Sequence, residues 1–165
     1  MPVNHFTLTQ EKLHELFEYR DGNLYWKYHK YKKLIGKKAG FLYKDGYIGV
    51  GLNKKQYKVH RIIYELHYGN CPEFIDHING IKSDNRIQNL REATRSQNSY
   101  NQKLNKNNKS GIKNVYWNKN EKKWIVEISS KNKIVFHKLF NDLELAELVA
   151  IEARNKYHGK FAKHN

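Results

Sequence analysis

The apolar residues of this chain come in short runs, each closed by a turn signal, and that spacing limits what it can fold into. Residues 24–28 follow Asp21-Gly22, and residues 47–52 lie between Asp45-Gly46 and Asn53-Lys54. Residues 40–43 alternate aromatic and branched side chains with polar ones in the same way, and 74–78, 115–117, 123–128 and 134–140 are short runs rich in aromatic and branched side chains. Such runs predict short strands joined by tight turns. Helical spacing is confined to a few segments. One is expected over 8–17, with Thr7 and Gln10 at capping-box positions and Leu13, Leu16 and Phe17 on one face. Others are expected over 60–68, from the Thr94-Arg95-Ser96-Gln97 cap onward, and after Asn141 or Asp142 until Gly159 stops the chain. A chain of 165 residues divided this way has no room for one large core. The expected fold class is α+β, in four segments: a small basic β-rich region at 1–58, a strand-loop-strand-helix module at 59–101, a polar linker at 102–110, and a three-stranded antiparallel sheet packed on one helix at 111–165.

Charge narrows the choice of partner. Lys and Arg number 31 against 16 acids, a formal net charge of +15 with a pI near 9.7. Between residues 27 and 58 ten lysines face the lone acid Asp45, with tyrosines interleaved. A polyanion is implied, and double-stranded DNA leads, its phosphates neutralised by the lysines. Neither a small-molecule substrate nor a membrane is expected, because no stretch has the roughly 18 consecutive apolar residues of a span and the start lacks the pattern of a signal peptide. The single cysteine, Cys71, excludes an internal disulfide framework and a cysteine-based zinc site, so no zinc is expected.

One segment carries chemistry. Asp76-His77 stands at the end of an expected strand, Asn89 follows at the start of a short return strand, and Asn98 lies on the next helix. A hard divalent cation takes oxygen ligands, so Asp76 and Asn98 suit Mg2+ or Mn2+. An imidazole titrating near neutrality can deprotonate water, which suits His77, and an amide at Asn89 can fix that ring through its other nitrogen. Arg61, Lys82, Arg86, Arg91 and Arg95 surround the set with positive charge.

The order His60-Arg61, Ile75-Asp76-His77-Ile78-Asn79-Gly80, Asp84-Asn85-Arg86-Ile87-Gln88-Asn89-Leu90-Arg91, Gln97-Asn98 and Asn101 resembles the HNH endonucleases of phages and mobile introns. That resemblance implies a ββα-metal fold, with His77 as general base, Asn89 as the residue that orients it, and Asp76 and Asn98 as metal ligands. Asn98 stands where many members have histidine, a variant found in the homing-type branch. Residues 16–26 and 36–47 resemble the leader that precedes such modules in phage proteins. Residues 111–165 resemble the APETALA2-type DNA-binding domain, on Ser110-Gly111, Val115, Trp117, Lys123-Trp124, Glu127-Ile128, Phe140, Ala146, Ala150 and Gly159. In that family a three-stranded sheet enters the major groove, which admits a β-ribbon. By that match Lys113, Tyr116, Trp117, Lys119, Lys123 and Trp124 are the expected DNA contacts, and Asn114 replaces a usual glycine.

The expected function is a metal-dependent DNA endonuclease of homing or free-standing phage type, nicking one strand as a monomer or weak dimer in the cytoplasm of a bacterial host. The alternative is a sequence-specific DNA-binding protein or regulator whose HNH module is inactive.

Overall fold

The first helix, α1 (Gln10–Leu16), begins where Thr9 turns its hydroxyl onto the Lys12 N–H. Thr7, the expected cap, lies outside the described residues. The computed structural model describes residues 8–102, 104, 105 and 107–164. They form two units, Met1–Ala93 and Thr94–Asn165.

In the first unit Phe17 leaves the helix and starts β1 (Phe17–Arg20), which pairs with β2 (Asn23–Trp26) across Asp21-Gly22, both at positive φ. β3 (Lys38–Ala39) extends that sheet along β2. A second sheet follows from β4 (Phe41–Leu42), β5 (Ile48–Leu52) and β6 (Lys55–Lys58). Asn53 and Lys54 join its last two strands, both with φ above zero as a twist-matched two-residue hairpin loop requires. α2 (Val59–Tyr68) buries Val59, Ile62, Ile63 and Leu66 and ends at Gly69 in the left-handed region. β7 (Phe74–His77) and β8 (Leu90–Ala93) pair antiparallel, with Asp76 opposite Arg91 and His77 opposite Leu90.

Leu13, Phe17, Leu24, Trp26, Val50, Ile62, Ile63, Ile75 and Leu90 belong to one buried cluster. Residue 58 therefore marks no break in packing, because side chains from the leader, α2 and the β7–β8 hairpin share that one cluster. Polar contacts repeat the connection: the Tyr19 hydroxyl accepts the Ile87 N–H at 3.1 Å, and Gln10 donates to the Leu66 carbonyl at 3.0 Å.

The second unit opens with α3 (Arg95–Tyr100). Thr94 accepts the Gln97 N–H and the Gln97 side chain accepts the Thr94 N–H, which completes the expected capping box. β9 (Val115–Asn118), β10 (Lys123–Ser130) and β11 (Lys133–Phe140) form an antiparallel sheet in the order β11-β10-β9. α4 (Leu143–His158) starts at Asp142, whose carboxylate accepts the Leu145 N–H. Ala146, Ala150 and Ala153 recur at helical spacing on its buried side, and such small residues let the helix approach Val115 and Val126 of the sheet closely. Asn114 has φ +67°, in the left-handed region that asparagine tolerates better than most residues.

The expected limits of 59–101 and 102–110 differ from this arrangement. α3 groups with the C-terminal segment in the second unit, and two described residues of the expected linker are tied to it: Gln102 offers its carbonyl to Lys113 at 2.6 Å, and the Asn108 amide donates to the Ile112 and Val115 carbonyls.

Candidate active site and nucleic-acid surface

The β7 strand ends on two buried side chains, Asp76 and His77, each 4% exposed. His77 Nε2 donates to Asn85 Oδ1 at 3.0 Å. An amide oxygen only accepts, so this bond puts the imidazole proton on Nε2 and leaves the basic lone pair on Nδ1. Burial holds His77 below the usual histidine value, against the opposing pull of the Asn85 bond and the Asp76 carboxylate. The ring is walled by two others: His60 crosses it edge-on at 5.1 Å between centroids, and Tyr47 lies 5.9 Å away. Lys58 and Lys82 sit over Tyr47 at 3.9 and 4.8 Å, gathering positive charge beside the histidine.

Asn89, expected to orient the imidazole, bonds Asn79 and Asp84 through its side chain. It closes a 3-10 turn (Ile87–Asn89) before β8, and its Oδ1 accepts the Asn79 N–H at 3.0 Å. Its Nδ2 donates to Asn79 Oδ1 at 3.0 Å and to the Asp84 carbonyl at 2.7 Å. The Asn89 amide thus fastens the 79–84 loop, while Asn85 from within the same quoted motif meets the imidazole. His60, Tyr47 and Asn85 surround His77 in the fold, and sequence reasoning gave none of them a role there. The only signal was His60 beside Arg61 and Asn85 within the Asp84-Asn85-Arg86 run.

Most basic residues expected at DNA are engaged within the fold. Arg91 grips Asp76 Oδ2 through Nε at 2.8 Å and Nη2 at 2.7 Å, in an ion pair whose side chains are 14% and 5% exposed. Arg61 donates to the Pro72 and Glu73 carbonyls and so ties α2 to the approach of β7. Arg86 forms a two-point pair with Asp84, and Lys82 donates to the Asp45 carbonyl at 3.0 Å. Arg95 remains exposed on α3.

In the second unit, register separates the expected contacts by face. Trp117 pairs with Trp124 and Val115 with Val126, so both tryptophans share the helix-facing side. Trp124 packs on the buried cluster and is core, while Trp117 is 45% exposed. Tyr116 stands on the opposite face, 44% exposed, its hydroxyl donating to Glu127 at 3.3 Å. Lys119 is exposed and Lys123 half-buried. Lys113 is turned inward, its ammonium on the Tyr100 and Gln102 carbonyls and pushed down to about 8 by burial.

Asp76 offers a carboxylate and Asn98 an amide oxygen, donor types that suit a hard divalent cation. Asp76 belongs to the first unit and Asn98, half-buried on α3, to the second. Among the described residues no three or more His, Cys, Asp or Glu side chains are grouped as a metal nest. No helix among them is long and apolar enough to cross a membrane.

Residues 57–100, which hold β7, the loop, β8 and α3, match the HNH endonuclease family. Protein 3.8 of Escherichia phage T7 is 33% identical over 108 residues, covering 63% of this chain and 87% of that protein. An uncharacterized HNH endonuclease, L560 of Acanthamoeba polyphaga mimivirus, is 38% identical over 86 residues, half of this chain and 44% of the viral protein. No solved structure matches. The chain belongs to the family of phage T7 Protein 3.8 and carries an HNH endonuclease domain at residues 57–100.

Proposed function

We propose that this protein is a metal-dependent DNA endonuclease that hydrolyses phosphodiester bonds and, as a monomer with one centre, nicks one strand. The observation that carries the reading is the buried His77 with its proton fixed on Nε2 by Asn85, inside the segment that matches the HNH family. In this reading His77 Nδ1 accepts a proton from the attacking water. Lowered basicity keeps the ring neutral, and therefore competent as a base, at physiological pH. Asp76 and Asn98 would hold the divalent ion, taken to be Mg2+ or Mn2+, with Arg91 steadying the Asp76 carboxylate from its other side. When bound, the ion would stabilise charge developing on the phosphate and the leaving oxygen. Asn89 acts by holding the 79–84 loop beneath the histidine.

The second unit is proposed to grip the target in the manner of an APETALA2-type sheet, through Tyr116, Trp117, Lys119 and Lys123. Support comes from the three antiparallel strands backed by α4, with Tyr116 exposed on the face away from that helix and Trp117 exposed on the edge strand β9. Incubating supercoiled plasmid with Mg2+ or Mn2+ tests the catalytic reading. Wild type should convert it to the open-circular form, and His77→Ala should be slower by at least about 100-fold, the scale of a lost general base. Plasmid that stays supercoiled with wild type and either ion, yet is bound, would make the chain a DNA-binding protein with an inactive module.

A further inference from the structure

Tyr100 ends α3, and there the second unit takes hold of the helix from three directions. Its ring stacks on His158 with centroids 3.8 Å apart and planes within 5°. Its hydroxyl donates to Ser130 Oγ and accepts the Lys131 N–H, both at 3.1 Å. Its carbonyl accepts from Lys113 Nζ at 2.6 Å, and the same ammonium reaches the Gln102 carbonyl at 2.6 Å. The holders are themselves held. Buried Arg154 donates from α4 to the Lys113 carbonyl, and His158 Nε2 donates to the Ser129 carbonyl at 3.0 Å. The 3-10 turn Gly159–Phe161, with Phe161 buried, packs against α3 as well.

This is far more apparatus than a tether requires. A helix of six residues is too short to persist by its own backbone bonds, so α3 exists where packing and caps hold it. Thr94 caps its start, and a cation on its last carbonyls satisfies groups that otherwise lack partners and opposes the dipole. Asn98 lies two residues before Tyr100, and its own N–H bonds the Thr94 carbonyl at 2.9 Å. We infer that Tyr100 and Lys113 are positioning residues for Asn98: the C-terminal unit is the clamp that holds the helix carrying the proposed ligand, so that DNA-gripping sheet and ligand helix form one piece. This rests on the proposed role of Asn98. It makes residues 94–165 part of the catalytic apparatus rather than a detachable grip.

The test uses the full-length chain and reads α3 directly. Amide hydrogen exchange of Asn98 is followed by NMR in wild type, Tyr100→Leu, Lys113→Met and the conservative Tyr100→Phe, with α4 and β10 amides as internal controls. Mn2+ affinity without DNA is measured by electron paramagnetic resonance. Tyr100→Leu and Lys113→Met should each speed Asn98 exchange and weaken Mn2+ binding by at least about tenfold, with the controls unmoved. Tyr100→Phe keeps the stack and the carbonyl and should retain most of both. Unchanged Asn98 exchange in Tyr100→Leu and Lys113→Met overturns the inference. If Tyr100→Leu also loses α4 protection, Lys113→Met decides. If wild type binds no Mn2+, the metal-site reading fails, while the exchange data still judge the clamp.

Discussion

In the proposed mechanism His77 offers Nδ1 as its base, because Asn85 Oδ1 holds the Nε2–H. Asn85→Ala should therefore lower kcat for nicking by about 10- to 100-fold with DNA affinity unchanged, because such partners act through the group they orient. Asn89→Ala should behave differently. It strips the 79–84 loop of its fastenings and should cost on the order of 1–3 kcal/mol in stability, read as a lowered Tm. The contrast separates the two amides, which sequence alone does not. Both lie in one quoted run, and which one faces the imidazole depends on how the loop folds over Asn79 and Asp84. His60 makes a further prediction at this scale. It is 7% exposed, its Nδ1 has no hydrogen-bond partner, and burial together with neighbouring His77 pushes it down to about 3. The unfolded chain takes up this proton near the ordinary histidine value and the native chain does not. Stability is thus full above about pH 6.5 and falls with acidification, by up to about 1.4 kcal/mol per pH unit until about pH 3. Denaturant melts across that range should show a shallower pH dependence for His60→Gln.

Among the elements, the β1–β2 turn lies close against the loop that carries Arg86. Gly22 has φ +80°, and a Cβ there would stand 2.8 Å from the Arg86 backbone nitrogen. Gly22→Ala meets both left-handed strain and a backbone clash, so it should destabilise the first unit by about 1–3 kcal/mol, measured by thermal denaturation. A change below 0.5 kcal/mol would show that the turn can move away from the loop. Elements whose ends are locally encoded were legible: Thr94 with Gln97, Asp142, Gly69 and Gly159 each mark a helix end where the sequence puts it. Phe17 was not. It continues the apolar face of α1 in sequence, yet it pairs with Trp26 and begins β1, a choice made by packing across the hairpin rather than by local preference.

Over the whole molecule, the sequence shows charge and module order but not which segments share a core. The leader, α2 and the β7–β8 hairpin read as separate segments, because the contacts that join Leu13, Trp26, Ile62 and Ile75 are distant along the chain. Charge acts at this scale too. A net +15 favours any DNA, and that nonspecific term must weaken steeply with salt. What distinguishes a sheet-borne grip from general attraction is where the slope comes from. Lys119 and Lys123 flank the β9–β10 turn, whereas the leader spreads ten lysines over residues 27–58. If the sheet meets the backbone, the double variant Lys119→Ala, Lys123→Ala should make the plot of log Kd against log salt shallower by about 2, each lost phosphate contact contributing about 0.9. Trp117→Ala should weaken affinity with the slope intact, since stacking and packing release no counterions. Trp124→Ala, by emptying the core, should instead lower Tm, at an expected cost of about 3–5 kcal/mol. A slope that survives the lysine pair but drops when Lys54 and Lys55 are replaced would move the DNA-binding face to the leader, and the sheet would then serve chiefly as the clamp on α3.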